Sequence, residues 1–178
     1  MNLLGSHDRA RVLTVLGEDF TGTMEEKAVR RLSESAYKQA VEDLKFASFL
    51  QFTLPGMPSI YYGDEAGMEG YEDPFCRRPF PWGREDRDLQ GFFRRLGRLR
   101  KESQVLRYGR LTEIRGGEGC LHFLRRTETQ EAELVFNRGD KAIALGGGEL
   151  RFAHALELDG EERRLLPRGY CLILRNLS

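Results

Sequence analysis

Asn2-Leu3-Leu4-Gly5-Ser6-His7-Asp8 is the segment from which the fold class is predicted. Residues 2–5 form an apolar run typical of a strand end, and the run turns into a histidine and an aspartate side by side. The ends of barrel strands deliver polar side chains to active sites in this way. The stretch therefore predicts an α/β arrangement with a candidate site directly after its first strand, at His7 and Asp8.

A helix is predicted downstream of this strand. Residues 18–31 are polar and charged, so we expect a loop with a short helix there. Ser33 or Ser35 can cap the helix that follows, which carries small and apolar residues at helical spacing. It ends at Leu54-Pro55-Gly56, because proline lacks a backbone donor and glycine permits a turn.

A second strand and a long loop follow this helix. Residues 58–63 are β-branched and aromatic, which favours a buried strand. Residues 63–87 form a loop rich in Gly, Pro and charged residues, and a loop of that length is usually functional or disordered. Its aromatic residues argue against disorder, and Asp86 or Asp88 can cap the next helix. Residues 1–103 therefore predict two βα units.

The pattern changes after residues 104–109. Short strand-like runs now alternate with Gly, Asn-Gly and Pro turns, which is typical of a small antiparallel β-sandwich. A closed (β/α)₈ barrel needs eight βα units and about 250 residues. We therefore expect an α+β chain, with the last two βα units of such a barrel over residues 1–105 and a C-terminal antiparallel β-sandwich over residues 106–178.

Composition excludes several classes of protein. The 178 residues are 40% hydrophobic and 31% charged, as expected for a globular domain. Lys and Arg together number 28, as do Asp and Glu, so the chain lacks the basic excess that is typical of nucleic-acid-binding proteins. We interpret the basic run 94–101 as the solvated face of a helix. The three cysteines lack the spacing of a disulfide framework, so we expect reduced thiols and a cytoplasmic location. No long apolar run is present, so we expect no membrane partner.

Two segments resemble the α-amylase family of retaining α-glucan hydrolases (glycoside hydrolase family 13). NLLGSHDRAR, residues 2–11, is similar to the family's fourth conserved segment, which reads NLLGSHDTPR in its neopullulanase, cyclomaltodextrinase and maltogenic amylase group. The stretch LPGMPSIYYGDEAGMEGYEDPFCRRPFPW resembles the segment that follows, where an Asp-Pro-x-x-Arg motif matches Asp73 to Arg77. Arg9-Ala10 replaces the usual Thr-Pro but leaves Arg11 in place. The β-rich tail resembles the family's C-terminal sandwich.

The resemblance implies a role for each of four residues. Asp8 would be the catalytic carboxylate that grips the hydroxyls of the sugar at the cleavage site and stabilises the transition state. His7 would donate to the same sugar, and Asp73 and Arg77 would bind the neighbouring sugar on the non-reducing side. The family's nucleophile, an Asp, and its acid/base, a Glu, lie on earlier strands. We therefore expect a C-terminal fragment of a glycoside hydrolase that is inactive by itself, binds α-glucan oligosaccharide or polysaccharide and associates with itself.

Other readings remain open for parts of the chain. The β-rich tail can be a non-catalytic carbohydrate-binding or barrel-stabilising module, and Asp73 with Arg77 can be a structural salt bridge. Asp64-Glu65 offers too few oxygens for Ca²⁺, which takes six to eight, so we interpret the pair as loop structure and expect neither metal nor cofactor. A lone loop tryptophan such as Trp82 more often anchors a loop than stacks on sugar.

Overall fold

The computed structural model describes residues 1–160 and 162–177. Backbone contacts divide the chain into two compact units. The first contains Met1–Phe52 and Gly56–Gly97, and the second contains Thr53–Pro55 and Arg98–Ser178. No helix in the described residues is long and apolar enough to cross a membrane.

The first unit is built around two short parallel strands and two long helices. The strands are β1 (Asn2–Leu3) and β2 (Pro58–Ser59), which pair in parallel with Asn2 opposite Pro58 and Leu3 opposite Ser59. The helices, in chain order, are α1 (Val12–Gly17), α2 (Met24–Val29), α3 (Glu34–Thr53) and α4 (Arg87–Glu102). The last residue of α3 and the last five residues of α4 are assigned to the second unit. Two 3₁₀ turns, Asp64–Ala66 and Phe75–Arg77, lie in the long loop before α4.

Helix α3 holds the two parallel strands together through one buried side chain. The amide of Gln51, which is 5% exposed, donates to the carbonyl oxygens of Asn2 at 3.0 Å and of Ser59 at 2.8 Å. Ser33 caps the helix, since its hydroxyl accepts from the Ala36 amide at 3.2 Å. The predicted helix and its serine cap are confirmed. The predicted strand over 58–63 is shortened to Pro58–Ser59, and Tyr62 and Gly63 already form a turn.

Helix α4 also follows the predicted pattern. Asp86 caps it by accepting from the Leu89 amide at 2.9 Å. Its apolar face is buried, as the helical spacing of those residues predicts. The residues of that face are Leu89, Phe92, Phe93, Leu96 and Leu99.

The second unit is an antiparallel sheet that follows a short helix, α5 (Gln104–Tyr108). Its strands are β3 (Arg110–Gly117), β4 (Cys120–Arg126), β5 (Gln130–Asn137), β6 (Ile143–Ala144), β7 (Glu149–Asp159) and β8 (Glu162–Asn176). The six strands form one hydrogen-bonded network in the order β3-β4-β5-β8-β6, with β7 also paired to β8. The antiparallel, β-rich tail is therefore confirmed, and strands β7 and β8, of 11 and 15 residues, are longer than the short runs that the sequence predicts.

Three aromatic residues of the sheet are buried. Phe123 and Phe136 stack with ring centroids 5.8 Å apart, and each is 2% exposed. Tyr170 is 1% exposed. A sugar platform requires an exposed aromatic face, so these three rings do not provide one.

A buried arginine joins separate segments of the second unit by hydrogen bonds. No sequence pattern predicted it. The Arg125 guanidinium donates to the carbonyl oxygens of Thr53 at 3.0 Å, Leu106 at 2.8 Å and Gly109 at 2.7 Å. Burial, with a smaller effect of Arg100, lowers the pKa of Arg125 to about 10. These carbonyl oxygens take the place of water, which is the condition for keeping a charged side chain inside a protein.

Glu133 makes the second unit sensitive to acid. His122 and Arg175, acting against burial, lower the pKa of Glu133 to about 2 from an ordinary 4.5. Since the folded pKa lies below the unfolded one, the resulting stability is present above about pH 4.5 and is lost as pH falls towards 2. We expect Glu133→Gln to lower the free energy of unfolding at pH 7 and to have little effect at pH 2, measured by urea unfolding at both values.

Glu128→Gln is the matched control for this prediction. Glu128 is exposed in the turn between β4 and β5, and no salt bridge to it exists within the described part of the chain. It should leave unfolding almost unchanged at both pH values. An equal effect of the two substitutions at pH 7 would contradict the role given to Glu133.

Candidate functional site

The first half of the site follows β1. His7 and Asp8 lie in the turn after this strand, with His7 Nε2 3.1 Å from Asp8 Oδ1. Their side chains are 62% and 67% exposed, so both can reach a ligand. The strand ends at Leu3 and the chain bends at Leu4, which leaves the two polar groups beyond the strand end.

The second half of the site comes from the 3₁₀ turn Phe75–Arg77. Arg77 Nε lies 2.7 Å from Asp73 Oδ1, one helical turn back in the chain. The same Nε donates to the His7 carbonyl oxygen at 3.2 Å, and Arg77 Nη2 lies 3.6 Å from Asp8 Oδ1. Arg77 therefore brings all four predicted site residues into one cluster, although 70 positions separate it from His7.

Arg11 is a buried arginine that contacts both halves of the site. Arg11, which is 1% exposed, donates through Nε to the Cys76 carbonyl oxygen at 2.7 Å and through Nη1 to the Tyr62 carbonyl oxygen. Arg11 Nη1 also lies 3.2 Å from Asp64 Oδ1, and its guanidinium stacks over the rings of Tyr61 and Tyr62. The segment that carries Asp8 is thus joined to the segment that carries Arg77.

The backbone next to Arg11 makes further ties to the same loop. The Arg11 amide donates to the Gly70 carbonyl oxygen at 2.8 Å, and the Gly70 amide donates to Thr14 Oγ1 at 2.9 Å. A side chain at Gly70 would lie 2.2 Å from the Phe75 carbonyl oxygen, so only glycine fits there. The Cys76 thiol points to the His7 carbonyl oxygen at 3.2 Å, which gives this cysteine a structural contact.

Asp64 has a raised pKa because it is buried. Burial raises its pKa to about 6, against the opposing charge and hydrogen bond of Arg11. The buried salt bridge to Arg11 occupies this carboxyl group, which agrees with interpreting Asp64-Glu65 as loop structure. Within residues 1–160 and 162–177, no group of three His, Cys, Asp or Glu side chains is placed to hold a metal ion.

Aromatic residues lie in the long loop and directly before it. Trp82 is 81% exposed, and its ring centroid is 4.6 Å from that of Phe80. The Tyr62 hydroxyl donates to the Arg78 carbonyl oxygen at 2.8 Å. Tyr61 and Tyr62 pack on Arg11, as expected for residues that hold the loop rather than a sugar.

The arrangement suits the binding of hydroxyl groups. Each exposed carboxylate keeps acceptor capacity beyond its contact with Arg77, and the guanidinium keeps unused donors. Sugar hydroxyls both donate and accept, so they match a surface that presents both kinds of group. Polar groups beyond the ends of parallel strands are the arrangement that α/β-barrel enzymes use for their active sites.

Comparison with known proteins identifies the family. The model of the α-amylase catalytic domain matches residues 1–93, just over half of the chain. The chain therefore belongs to the α-amylase family, which is a family of glycoside hydrolases. The family prediction made from NLLGSHDRAR and the loop after Gly63 is confirmed.

Named relatives extend the likeness beyond the catalytic segment. An amylopullulanase of Thermoanaerobacter thermohydrosulfuricus is 49% identical over 126 residues, which is 71% of this chain and 8% of that protein. A maltogenic α-amylase of Bacillus acidopullulyticus is 32% identical over 148 residues, which is 80% of this chain and 22% of that protein. The chain thus spans less than a quarter of these relatives.

A solved structure resembles almost the whole chain. It is the ligand-free cyclic α-maltosyl-(1→6)-maltose hydrolase from Arthrobacter globiformis, with a TM-score of 0.67 and 26% sequence identity. The match covers 98% of this chain and 34% of that one. The likeness to known proteins therefore extends past residues 1–93 to almost the whole chain.

Proposed function

We propose that this chain is the C-terminal part of a retaining hydrolase that cleaves α-1,4-glucosidic bonds in maltodextrin, cyclodextrin or pullulan. The observation that carries the proposal is the convergence of His7, Asp8 and Asp73 on Arg77. The names of the relatives support the choice of substrate, since they include an amylopullulanase and a cyclomaltodextrinase. In this proposal residues 1–105 are the last two βα units of a (β/α)₈ barrel, and residues 106–178 are its C-terminal β-sandwich.

Asp8 is assigned to the transition state of this reaction. Glycosidases of the retaining class use a nucleophile and an acid/base whose carboxyl groups are about 5–5.5 Å apart, and the transition state resembles an oxocarbenium ion. Hydrogen bonds from sugar hydroxyls to Asp8 would strengthen as that charge develops. Its negative charge would also raise the pKa of a nearby acid/base, because like charge disfavours ionisation.

The other three residues position the substrate. His7 lies beside Asp8 and is assigned to the same sugar, as a donor. Asp73 and Arg77 are assigned to the neighbouring sugar on the non-reducing side. Their own salt bridge of 2.7 Å does not exclude this role, because both side chains are about half exposed, at 56% and 47%.

Hydrolysis assays test the proposal. A full-length enzyme that contains this chain should release sugar from at least one of maltodextrin, cyclodextrin and pullulan, with the α-anomer as first product. The 178-residue chain alone should show no turnover above buffer, because the nucleophile and acid/base are assigned to other strands. Turnover by the chain alone would overturn that assignment, and an inactive full-length enzyme would overturn the choice of substrate.

The alternative role for the second unit is to bind carbohydrate or to stabilise a barrel without taking part in catalysis. The buried positions of Phe123, Phe136 and Tyr170 favour the stabilising role over the binding role. Self-association and a cytoplasmic location stay predictions. Exposed apolar side chains near β1 and β2, including Leu3 at 51% and Met57 at 67%, support self-association.

A further inference from the structure

A cavity lies in the first unit, and its lining includes none of the four proposed sugar-binding residues. Its volume is about 470 Å³, within the range of small-molecule sites. Residues 66–69 and 78–81 form much of the wall, together with Arg84, Arg31 before α3, and Tyr37 in the first turns of α3.

The charge of this cavity is not balanced. Three guanidinium groups line it, those of Arg31, Arg78 and Arg84, against the single carboxylate of Glu69. Glu69 Oε2 already accepts from the Leu32 amide at 2.7 Å. In the described part of the chain, no carboxylate forms a salt bridge with any of the three arginines. The cavity therefore carries an excess of two positive charges.

Two of the three arginines are held by neutral carbonyl groups. Arg78 Nη2 donates to the carbonyl oxygen of Ala28 at 2.6 Å and is 3.5 Å from that of Lys27. Arg31 Nη1 donates to the Arg30 carbonyl oxygen at 2.7 Å. These bonds fix the guanidinium groups without neutralising them. Arg84 makes no side-chain hydrogen bond within the described residues, so its donors are unused.

The rest of the cavity wall includes an apolar surface that can pack against the uncharged part of a ligand. Phe80 lines the cavity beside Pro79, Pro81 and Met68, and its ring packs on Trp82. The Tyr37 hydroxyl donates to Asp86 at 3.1 Å, so Tyr37 is already engaged. An apolar wall next to several guanidinium groups suits a small molecule that has both a ring and a compact oxyanion.

We infer that this cavity binds a small phosphate monoester of a sugar or a molecule of similar size. Guanidinium groups match the oxygens of phosphate with paired, charge-assisted hydrogen bonds, and Arg is the residue favoured for that geometry. Arg31, Arg78 and Arg84 hold the phosphate, and the ring of the ligand packs on Phe80. The site is separate from the proposed glucan site and does not depend on hydrolysis.

Calorimetric titration of the complete chain at low ionic strength tests this inference. The three probes are glucose 6-phosphate, inorganic phosphate and glucose. Glucose 6-phosphate should bind more tightly than inorganic phosphate, and glucose should show no binding at this site. Arg84→Gln should weaken the binding of glucose 6-phosphate about tenfold or more, since it removes a charge-assisted hydrogen bond.

Arg94→Gln is the matched control, because Arg94 is exposed on α4, lies outside the cavity lining and removes the same charge. It should leave affinity unchanged, and circular dichroism should show both variants folded. Absence of glucose 6-phosphate binding at millimolar concentration, or equal weakening by the two substitutions, would overturn the inference. Equal affinity for inorganic phosphate and glucose 6-phosphate would overturn the packing of a sugar on Phe80. None of these results bears on glucan hydrolysis, which the assays above test separately.

Discussion

Asp8→Asn in a full-length enzyme that contains this chain is expected to lower kcat by about 10²–10³-fold, the usual cost of losing one group that stabilises a transition state. The substitution keeps the shape of the side chain and removes its charge. KM should change much less, because the loss falls on the transition state rather than on the bound substrate. Steady-state kinetics on maltodextrin measure both quantities.

Folding should be almost unaffected by this substitution. Asp8 is 67% exposed, and its contacts are to His7 and Arg77 at the surface. Surface ion pairs contribute only about 0–1 kcal/mol to stability. Asp19→Asn is the matched control in the same unit, since Asp19 is exposed and no ion pair involving it is found among the described residues. A near-normal kcat for Asp8→Asn would contradict the role assigned to Asp8.

Arg11→Met is expected to destabilise the first unit by about 3–5 kcal/mol, the typical cost of breaking a buried ion pair from one side. The Asp64 carboxylate would be left buried without its partner. The carbonyl oxygens of Tyr62 and Cys76 would also lose the donors that Arg11 supplies. Urea unfolding of the chain, followed by circular dichroism, measures the loss.

The loss should depend on pH because Asp64 titrates in the folded state. Its folded pKa of about 6 lies above the ordinary 3.8, so the folded state is protonated where the unfolded state is already ionised. Stability from this group is therefore full below pH 3.8 and declines as pH rises through 6. Arg11→Met should accordingly cost more stability at pH 8, where Asp64 is charged, than at pH 5.

Two further variants distinguish the effect of losing the ion pair from a non-specific loss of stability. The double variant Arg11→Met with Asp64→Leu should recover part of the lost stability, since it leaves no buried charge. Arg9→Met changes an exposed arginine in the same turn and should have little effect. If Arg9→Met and Arg11→Met were equally destabilising, the loss of the Arg11 contacts between the two halves of the site would not be the cause of the lost stability.

The predicted site came from residues that are local in sequence, and the structure adds what holds them in place. His7 and Asp8 followed from the turn after an apolar run, and Asp73 and Arg77 from one loop motif. Their contact through Arg77 joins positions 70 residues apart, which a sequence pattern does not encode. The resemblance to a family instead predicted that the four residues bind neighbouring sugars of one substrate.

The buried arginines were missed because a charge becomes stable inside a protein only through partners that are remote in sequence. Arg125 donates to the Thr53 carbonyl oxygen 72 positions away, and Arg11 donates to that of Cys76 65 positions away. Helix α1 was missed for a different reason, since a run of six residues is too short to show helical periodicity. Strand β6 has two residues and is likewise too short to be read from a pattern.

A crystal structure of the full-length Asp8→Asn enzyme with a bound maltooligosaccharide tests most directly whether His7, Asp8, Asp73 and Arg77 bind the substrate. The slow variant should retain intact substrate. We predict that one sugar ring lies within hydrogen-bonding distance of His7 and residue 8, and that the next ring towards the non-reducing end contacts Asp73 and Arg77. An oligosaccharide bound in the active site with none of these four side chains in contact would contradict it.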